Sequence, residues 1–501
     1  MKKIYILLVL TGLISYSCGW DDYGDYVVNS NASTTPKTSA LLTNSMLSLG
    51  GTITATQGAL YVQYIANSQY TSADNYTTVN FSSDGFYSGP LADLQKIIDM
   101  NTNEETMAEA ARDGSNTNQI AIARILQSYY YLHMTNRWGD LPYSDALKGA
   151  AAEPVITPEY DTQEAIYDGC IQTLKDAVAM IDASGDPISG DILFGGDMDM
   201  WEKFANTTRL IAAARLSEVS PSKAATEFAS AYSDGVIALD NSENISYRYL
   251  AVQTYENPYY NSFVTSGRKD WTIADPLMNY MQIDTYTSPH PGAKGSGMMD
   301  VIADPRLPVY ANPVENTTTY VGMPYGLTEA AAGSISNSAV SFLGDAFRMQ
   351  DTPADIYTSA QVAFTLAEGV ERRWITGDVQ TFYEQGIQAS LAQHGVDADY
   401  ATYITNSEVA FDASRAIEQI AYQKWVAIFP NGYEAWAEWR RLGFPTLAPA
   451  DNAQNESGEI PTRQGYSTSE RDLNSSNYND AISNQGWAAD DLDGKLWWDA
   501  N

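Results

Sequence analysis

The chain is predicted to be mainly α-helical, and three observations say so. Apolar residues recur every three or four positions through most of its length, alanine is frequent on those stripes, and Gly, Pro and Asn stand where the stripes stop. The helices come in pairs, which suggests a scaffold of tetratricopeptide-like helix pairs carrying long irregular insertions, although no crisp repeat of about 34 residues is present. From Ser39 the first helix shows Leu42, Met46 and Leu49 at helical spacing. Ile122, Ile125, Leu126, Tyr129 and His133 form the next stripe, which stops at Arg137-Trp138-Gly139 with Pro142 just beyond. Its partner carries Tyr167, Cys170, Ile171, Leu174, Ala177, Val178 and Ile181. Trp201 to Val219 follows, and Pro221 opens another helix at its first turn. Later come Ala360, Ala363, Phe364, Ala367 and Val370, then Val379, Phe382, Tyr383 and Ile387 behind Asp378, then Ile417, Ile420, Ala421 and Ile428. Asn431-Gly432 breaks the chain before a helix from Tyr433 to Arg441.

Two stretches lose this periodicity. Residues about 240–355 and 447–501 are rich in Gly, Pro, Asn and Ser, and read as irregular segments on the helical frame, the usual place for binding residues. Residues 38–501 read as a single domain.

The N-terminus is of another kind. Lys2 and Lys3 precede an apolar run, Ile4–Ile14, too short to span a bilayer, which takes roughly 20 residues. Ser15-Tyr16-Ser17-Cys18 then resembles a bacterial lipoprotein box, with residues 1–17 as the signal peptide and Cys18 as the lipidated residue. The alternative is ordinary secretion with an incidental cysteine. Several acyl chains on Cys18 would give stable anchoring, and residues 18–37, polar and marked by Asp21, Asp22 and Asp25, would form a flexible tether.

Composition narrows the function. The formal net charge of −34 and the lack of any basic run exclude a nucleic-acid surface. Cys18 and Cys170 are the only cysteines, so lipidation of the first leaves no internal disulfide. Cys170 lies on an apolar stripe and reads as a small buried residue. The three histidines, His133, His290 and His394, show no metal-ligand spacing, and His133 reads as a core residue. There is no Gly-x-Ser-x-Gly elbow, and Gly292–Gly297 lacks the ending of a phosphate loop. No cofactor is expected. Asp197/Asp199 and Asp490/Asp491/Asp493 offer hard oxygens of the kind that bind a structural calcium ion, but neither stretch follows an EF-hand loop and solvated acidic turns explain both.

A series of short motifs lies in a consistent order. They are Ser39–Asn44, Tyr87–Leu94, Trp138-Gly139-Asp140-Leu141-Pro142-Tyr143-Ser144-Asp145-Ala146, Tyr160–Tyr167, Gly195-Gly196-Asp197, Trp201–Asn206 and Asp304-Pro305-Arg306. Leu366-Ala367-Glu368, Gln423-Lys424-Trp425, Trp436 through Arg440-Arg441, Ile460-Pro461-Thr462-Arg463 and Trp497-Trp498-Asp499 complete the set. In this order, behind a lipoprotein signal, they resemble the SusD/RagB family of nutrient-binding outer-membrane lipoproteins, in the SusD-like branch described as starch-binding and outer-membrane associated. The resemblance covers nearly the whole chain. It implies a tetratricopeptide-like body, attachment to the outer membrane by a lipid with the body facing outward, and no catalysis. It also implies a partner, a SusC-like TonB-dependent transporter over which the protein would sit as a lid and to which it would hand an oligomeric nutrient, glycan or peptide. Two other readings stay open: a lipid-anchored glycoside hydrolase, with two carboxylates roughly 5–10 Å apart in one cleft, and a structural lid without a ligand of its own.

The family's motifs do not carry its ligand contacts, so the candidate site is read from the residues. The matching Arg pair, Arg440 and Arg441, is expected to tie loops to carbonyls and carboxylates. Two segments mix flat rings with amide, carboxylate or guanidinium groups, a combination that stacks on sugars or holds a peptide. One contains Tyr70, Asp74, Asn75, Tyr76, Phe81, Phe86 and Tyr87; the other contains Tyr255, Tyr259, Tyr260, Arg268, Trp271, Tyr280 and Tyr286. Trp271 is the first choice among them.

Overall fold

In the computed structural model, residues 36–149, 153–282 and 304–499 are described. Cys18, most of the tether, Tyr286, His290 and Gly292–Gly297 lie outside the described residues.

The helical stripes fold as their spacing predicts. After α1 (Thr38–Thr54) and the short α2 (Thr56–Tyr61), β1 (Ile65–Asn67) leads to α3 (Ala92–Thr102) and the long α4 (Asn116–Trp138). Then come α5 (Gln163–Met180), α6 (Met198–Arg215) and α7 (Pro221–Asp234). Side-chain caps fix where they start: Thr162 accepts from the Ala165 N–H (3.2 Å), and Asp197 accepts from the N–H groups of Asp199 and Met200. Tyr167, Cys170, Ile171, Leu174 and Ala177 of α5 are all buried, with Val178 and Ile181 half-buried at the edge. Burial pushes the Cys170 thiol up to about 12, as suits a packing residue. His133 is half-buried, its Nε2 3.3 Å from Arg137 Nη1; burial and that guanidinium hold it neutral.

The second half repeats the pattern with α9 (Ser359–Glu371), α10 (Val379–Gln393), α11 (Ala416–Ala427) and α12 (Gly432–Leu442). Helices pack in consecutive pairs, α4 with α5, α6 with α7 and α9 with α10. Thr38–Asn501 forms one compact unit. Helix α2 crosses α12 so closely that a Cβ on Gly58 would lie 2.5 Å from the Tyr433 nitrogen, which is why no larger residue fits there. Among the described residues, no helix is long and apolar enough to cross a membrane.

Inside this frame lies a chain of buried ion pairs. Arg441 on α12 bonds both carboxylate oxygens of Glu368 on α9 and, at 2.7 Å, Glu438. Lys424 of α11 reaches Glu438 at 2.7 Å, and Arg215 of α6 reaches Glu434 (2.8 Å) and Glu438 (2.9 Å). Burial alone would raise the Glu438 carboxyl, but Arg441, Lys424 and Arg215 outweigh it and hold it well below its ordinary value. Neighbouring Arg440 donates to Thr462 O and Asn136 O at 2.8 Å each, while its guanidinium carbon lies 3.6 Å from the Trp436 ring centre. Between them the Arg pair engages both carbonyls and carboxylates, as expected.

The stretches expected to be irregular contain short elements. β2 (Ile245–Tyr247), β3 (Trp271–Ile273), α8 (Asp275–Gln282) and β4 (Ala354–Tyr357) fall within or at the end of the first. β2 pairs with β4 and β1 with β3, both antiparallel, so the first pair joins the two ends of the insertion to each other and the second ties its early part to β1. α13 (Thr468–Leu473) and α14 (Ser475–Asn484) fall in the second stretch. These elements escaped prediction because strands of three or four residues are too short to show a period, and α14 buries only Tyr478 and Ala481.

Candidate ligand-binding site

The β1–β3 pair brings the two candidate segments together. Its register sets Ile65 opposite Ile273, Ala66 opposite Thr272 and Asn67 opposite Trp271. Beyond Asn67 the chain turns sharply. Buried Asp74 closes that turn by accepting from the Asn67 N–H (2.8 Å) and from the Asn67 side-chain amide. The Ser68 N–H donates to Asp270 O (2.9 Å) and the Ser68 hydroxyl to Lys269 O (3.2 Å), staking the turn to β3. Held in this way, Tyr70 adopts a left-handed backbone, φ +58°, uncommon for a tyrosine, and is 57% exposed.

Arg268 reaches over from the other segment. Its guanidinium carbon lies 5.5 Å from the Tyr70 ring centre, a cation–π distance. Asp270 fixes it, accepting from Arg268 Nε at 2.8 Å and lying 2.6 Å from Nη2. The Arg268 side chain remains 60% exposed. Trp271, half-buried, starts β3 directly after Asp270. Tyr70, Arg268 and Trp271 therefore share one end of a two-stranded sheet, though Tyr70 and Trp271 are about 200 positions apart in sequence. The arrangement offers flat rings, one guanidinium already charge-balanced by Asp270, and the polar groups of the staked turn.

Burial pushes the Asp74 carboxyl up to about 7, against the Asn67 hydrogen bonds that favour its charged form. Its role is to shape the turn below Tyr70.

Other candidates lie elsewhere. Asn75, Tyr76, Tyr259 and Tyr280 are buried and offer no face to a ligand. The Asn75 amide donates to Thr71 Oγ1 and Leu327 O, and the Tyr76 hydroxyl accepts from the Ala450 N–H at 3.1 Å. Tyr280 stacks on Tyr422 with ring centres 5.2 Å apart, and Tyr259 packs in the same core. Phe86 packs against Tyr130, His133 and Trp138. Tyr87 donates its hydroxyl to Pro142 O (2.7 Å). Tyr255 is exposed, on a turn beside exposed Leu250 and Val252. Asp270, next to Trp271, and Ser68, two positions before Tyr70, set the geometry but carry no further sequence signal.

Several aspartates of the two acidic runs are engaged within the fold. Asp197 caps α6; Asp490 bonds Arg463 and the Tyr466 N–H; Asp493 accepts from Asn455 and Ser457. Among the described residues, no group of three or more His, Cys, Asp or Glu could hold a metal.

Comparison with known proteins is consistent with this architecture. No curated sequence matches. A chitin-binding protein of known structure is 25% identical, with a TM-score of 0.76 over 93% of this chain and 100% of its own. A SusD homologue from Parabacteroides distasonis gives 24% identity and 0.76 over 93% and 98%. A chitin-binding SusD homologue from Flavobacterium johnsoniae gives 23% and 0.70 over 93% and 99%. Residues 30–467 match the SusD-like family described as starch-binding and associating with the outer membrane, and the chain belongs to that family.

Proposed function

We propose that this protein binds an oligosaccharide on the Tyr70–Arg268–Trp271 platform and passes it to a SusC-like TonB-dependent transporter, over which it acts as a lid. The observation that carries the binding role is the contact of Arg268 with the exposed Tyr70 ring on a turn held by Asp74, Ser68 and Asp270, with half-buried Trp271 at the adjoining strand end. Rings placed in advance lose little freedom when a sugar stacks on them. The ion pair to Asp270 balances the charge of Arg268, so its exposed N–H groups suit hydroxyl or carbonyl oxygens of an uncharged ligand. The chitin-binding neighbours and the starch-binding family description support a glycan over a peptide. In the same reading Cys18 carries the lipid, and residues 18–37 let the body move against the transporter.

Titration calorimetry with malto- and chito-oligosaccharides and a mixed peptide library tests the ligand class. Binding of one sugar series without release of shorter products is expected. Steady hydrolysis would instead favour a glycosidase, and peptide binding alone would overturn the glycan reading. Transporter partnership is checked by purification from outer membranes, where a TonB-dependent barrel should accompany the protein and a Cys18→Ala variant should lose membrane retention.

A further inference from the structure

We propose that the helical scaffold carries a second saccharide-binding cleft, between α3, α4 and the 143–148 loop, which shares no residue with the Tyr70 platform. The cleft has a volume of about 570 Å³, within the usual size for small-ligand sites, about 300–1,000 Å³. One wall is a chain of polar groups. Gln127 on α4 donates to Gln95 Oε1 on α3 (3.4 Å), and Gln95 donates to Asp99 Oδ1 one turn along (2.9 Å). Within the described residues this leaves the Gln127 carbonyl and the second Asp99 oxygen to accept from a ligand. Sugar hydroxyls donate and accept in turn, and are suited to such a row.

The floor is aromatic. Tyr131 and Tyr143 meet edge to face, ring centres 4.8 Å apart at 88°. Tyr143 is held against α5, where a Cβ on Gly169 would lie 2.7 Å from its ring. The loop is held as firmly: Asp161 Oδ2 accepts from the N–H groups of Tyr143 (3.1 Å) and Ser144 (2.7 Å) and from the Ser144 hydroxyl (3.0 Å). Lys148, the one cation among the described residues of the lining, is paired with Asp145 at 2.8 Å, so nothing among them selects a phosphate or carboxylate. Ala146 and Leu147 also line a second hollow of about 240 Å³. The choice of ligand class rests on the function proposed above; the site rests on its own residues.

Calorimetry on the mature chain, with maltohexaose and chitohexaose as probes, tests the cleft. Two binding events are expected for one of these sugars. Trp271→Ala should remove one, and Gln127→Trp, which fills the cleft, should remove the other. Gln95→Ala, a smaller change, should weaken the second event about five- to tenfold, with an unchanged melting temperature showing that the fold is intact. A residual event in Trp271→Ala that Gln127→Trp abolishes establishes the cleft, whatever becomes of the platform. If Trp271→Ala alone abolishes all binding, the cleft is overturned while the platform stands. If neither sugar binds the wild-type chain, both fall.

Discussion

The scaffold and the platform are held by opposite means. In the scaffold, Glu438, Arg441, Lys424 and Arg215 are buried charges that satisfy one another across α6, α11 and α12. At the platform, Arg268 and Asp270 form a single pair with the arginine mostly in water, and the frame beneath it is made of hydrogen bonds between backbone groups and the Asp74 and Ser68 side chains. Removing a buried partner strands a charge; removing an exposed one costs little. The network residues therefore hold the fold, whereas the exposed Arg268–Asp270 pair contributes little to it.

The contrast is broken most severely at Glu438. Glu438→Ala leaves three cations around one vacated position and should cost about 3–5 kcal/mol in denaturant unfolding; a loss below about 1 kcal/mol would contradict a network role. Asp74 comes next. Its carboxyl is near 3.8 in the unfolded chain and about 7 in the fold. Between those values the native protein keeps a proton that the unfolded chain has released, so this group's contribution to stability falls as pH rises from about 4 to about 7. Relative to Asp74→Asn, the wild type should lose on the order of 4 kcal/mol across that range, read from unfolding curves at several pH values; parallel curves would sink the assignment. The smallest change is at Arg268, where Arg268→Ala should alter unfolding by no more than about 1 kcal/mol yet weaken oligosaccharide binding measurably. A large stability loss there would make Arg268 part of the frame.

The scaffold was readable because its information is local. Stripes such as Tyr167–Cys170–Ile171–Leu174, and caps such as Thr162, Asp197 and Asp378, lie within one helix of what they determine. The site was readable only as a composition. Tyr70 and Tyr76 are near neighbours of one type, but Tyr76 is buried by Ala450, more than 370 positions away, and Tyr70 is turned outward by a bond from Asn67 to Asp74. Tyr280 likewise owes its burial to Tyr422. No local pattern separates an aromatic that braces a loop from one that the loop presents. Pairing of β1 with β3, which unites Tyr70 with Arg268 and Trp271, depends on strands too short to announce themselves.

If Tyr70, Arg268 and Trp271 form one oligosaccharide platform, its loss is read from calorimetric affinity for the best-bound oligosaccharide in the wild type, Tyr70→Ala and Trp271→Ala, with melting temperatures measured alongside. Truncating an anchoring ring typically costs about 1.4–2.8 kcal/mol, so each variant should bind about 10- to 100-fold more weakly at the platform, with Tyr70→Ala melting as the wild type does and Trp271→Ala still folding cooperatively. Wild-type affinity in both variants, with the fold intact, would contradict the claim.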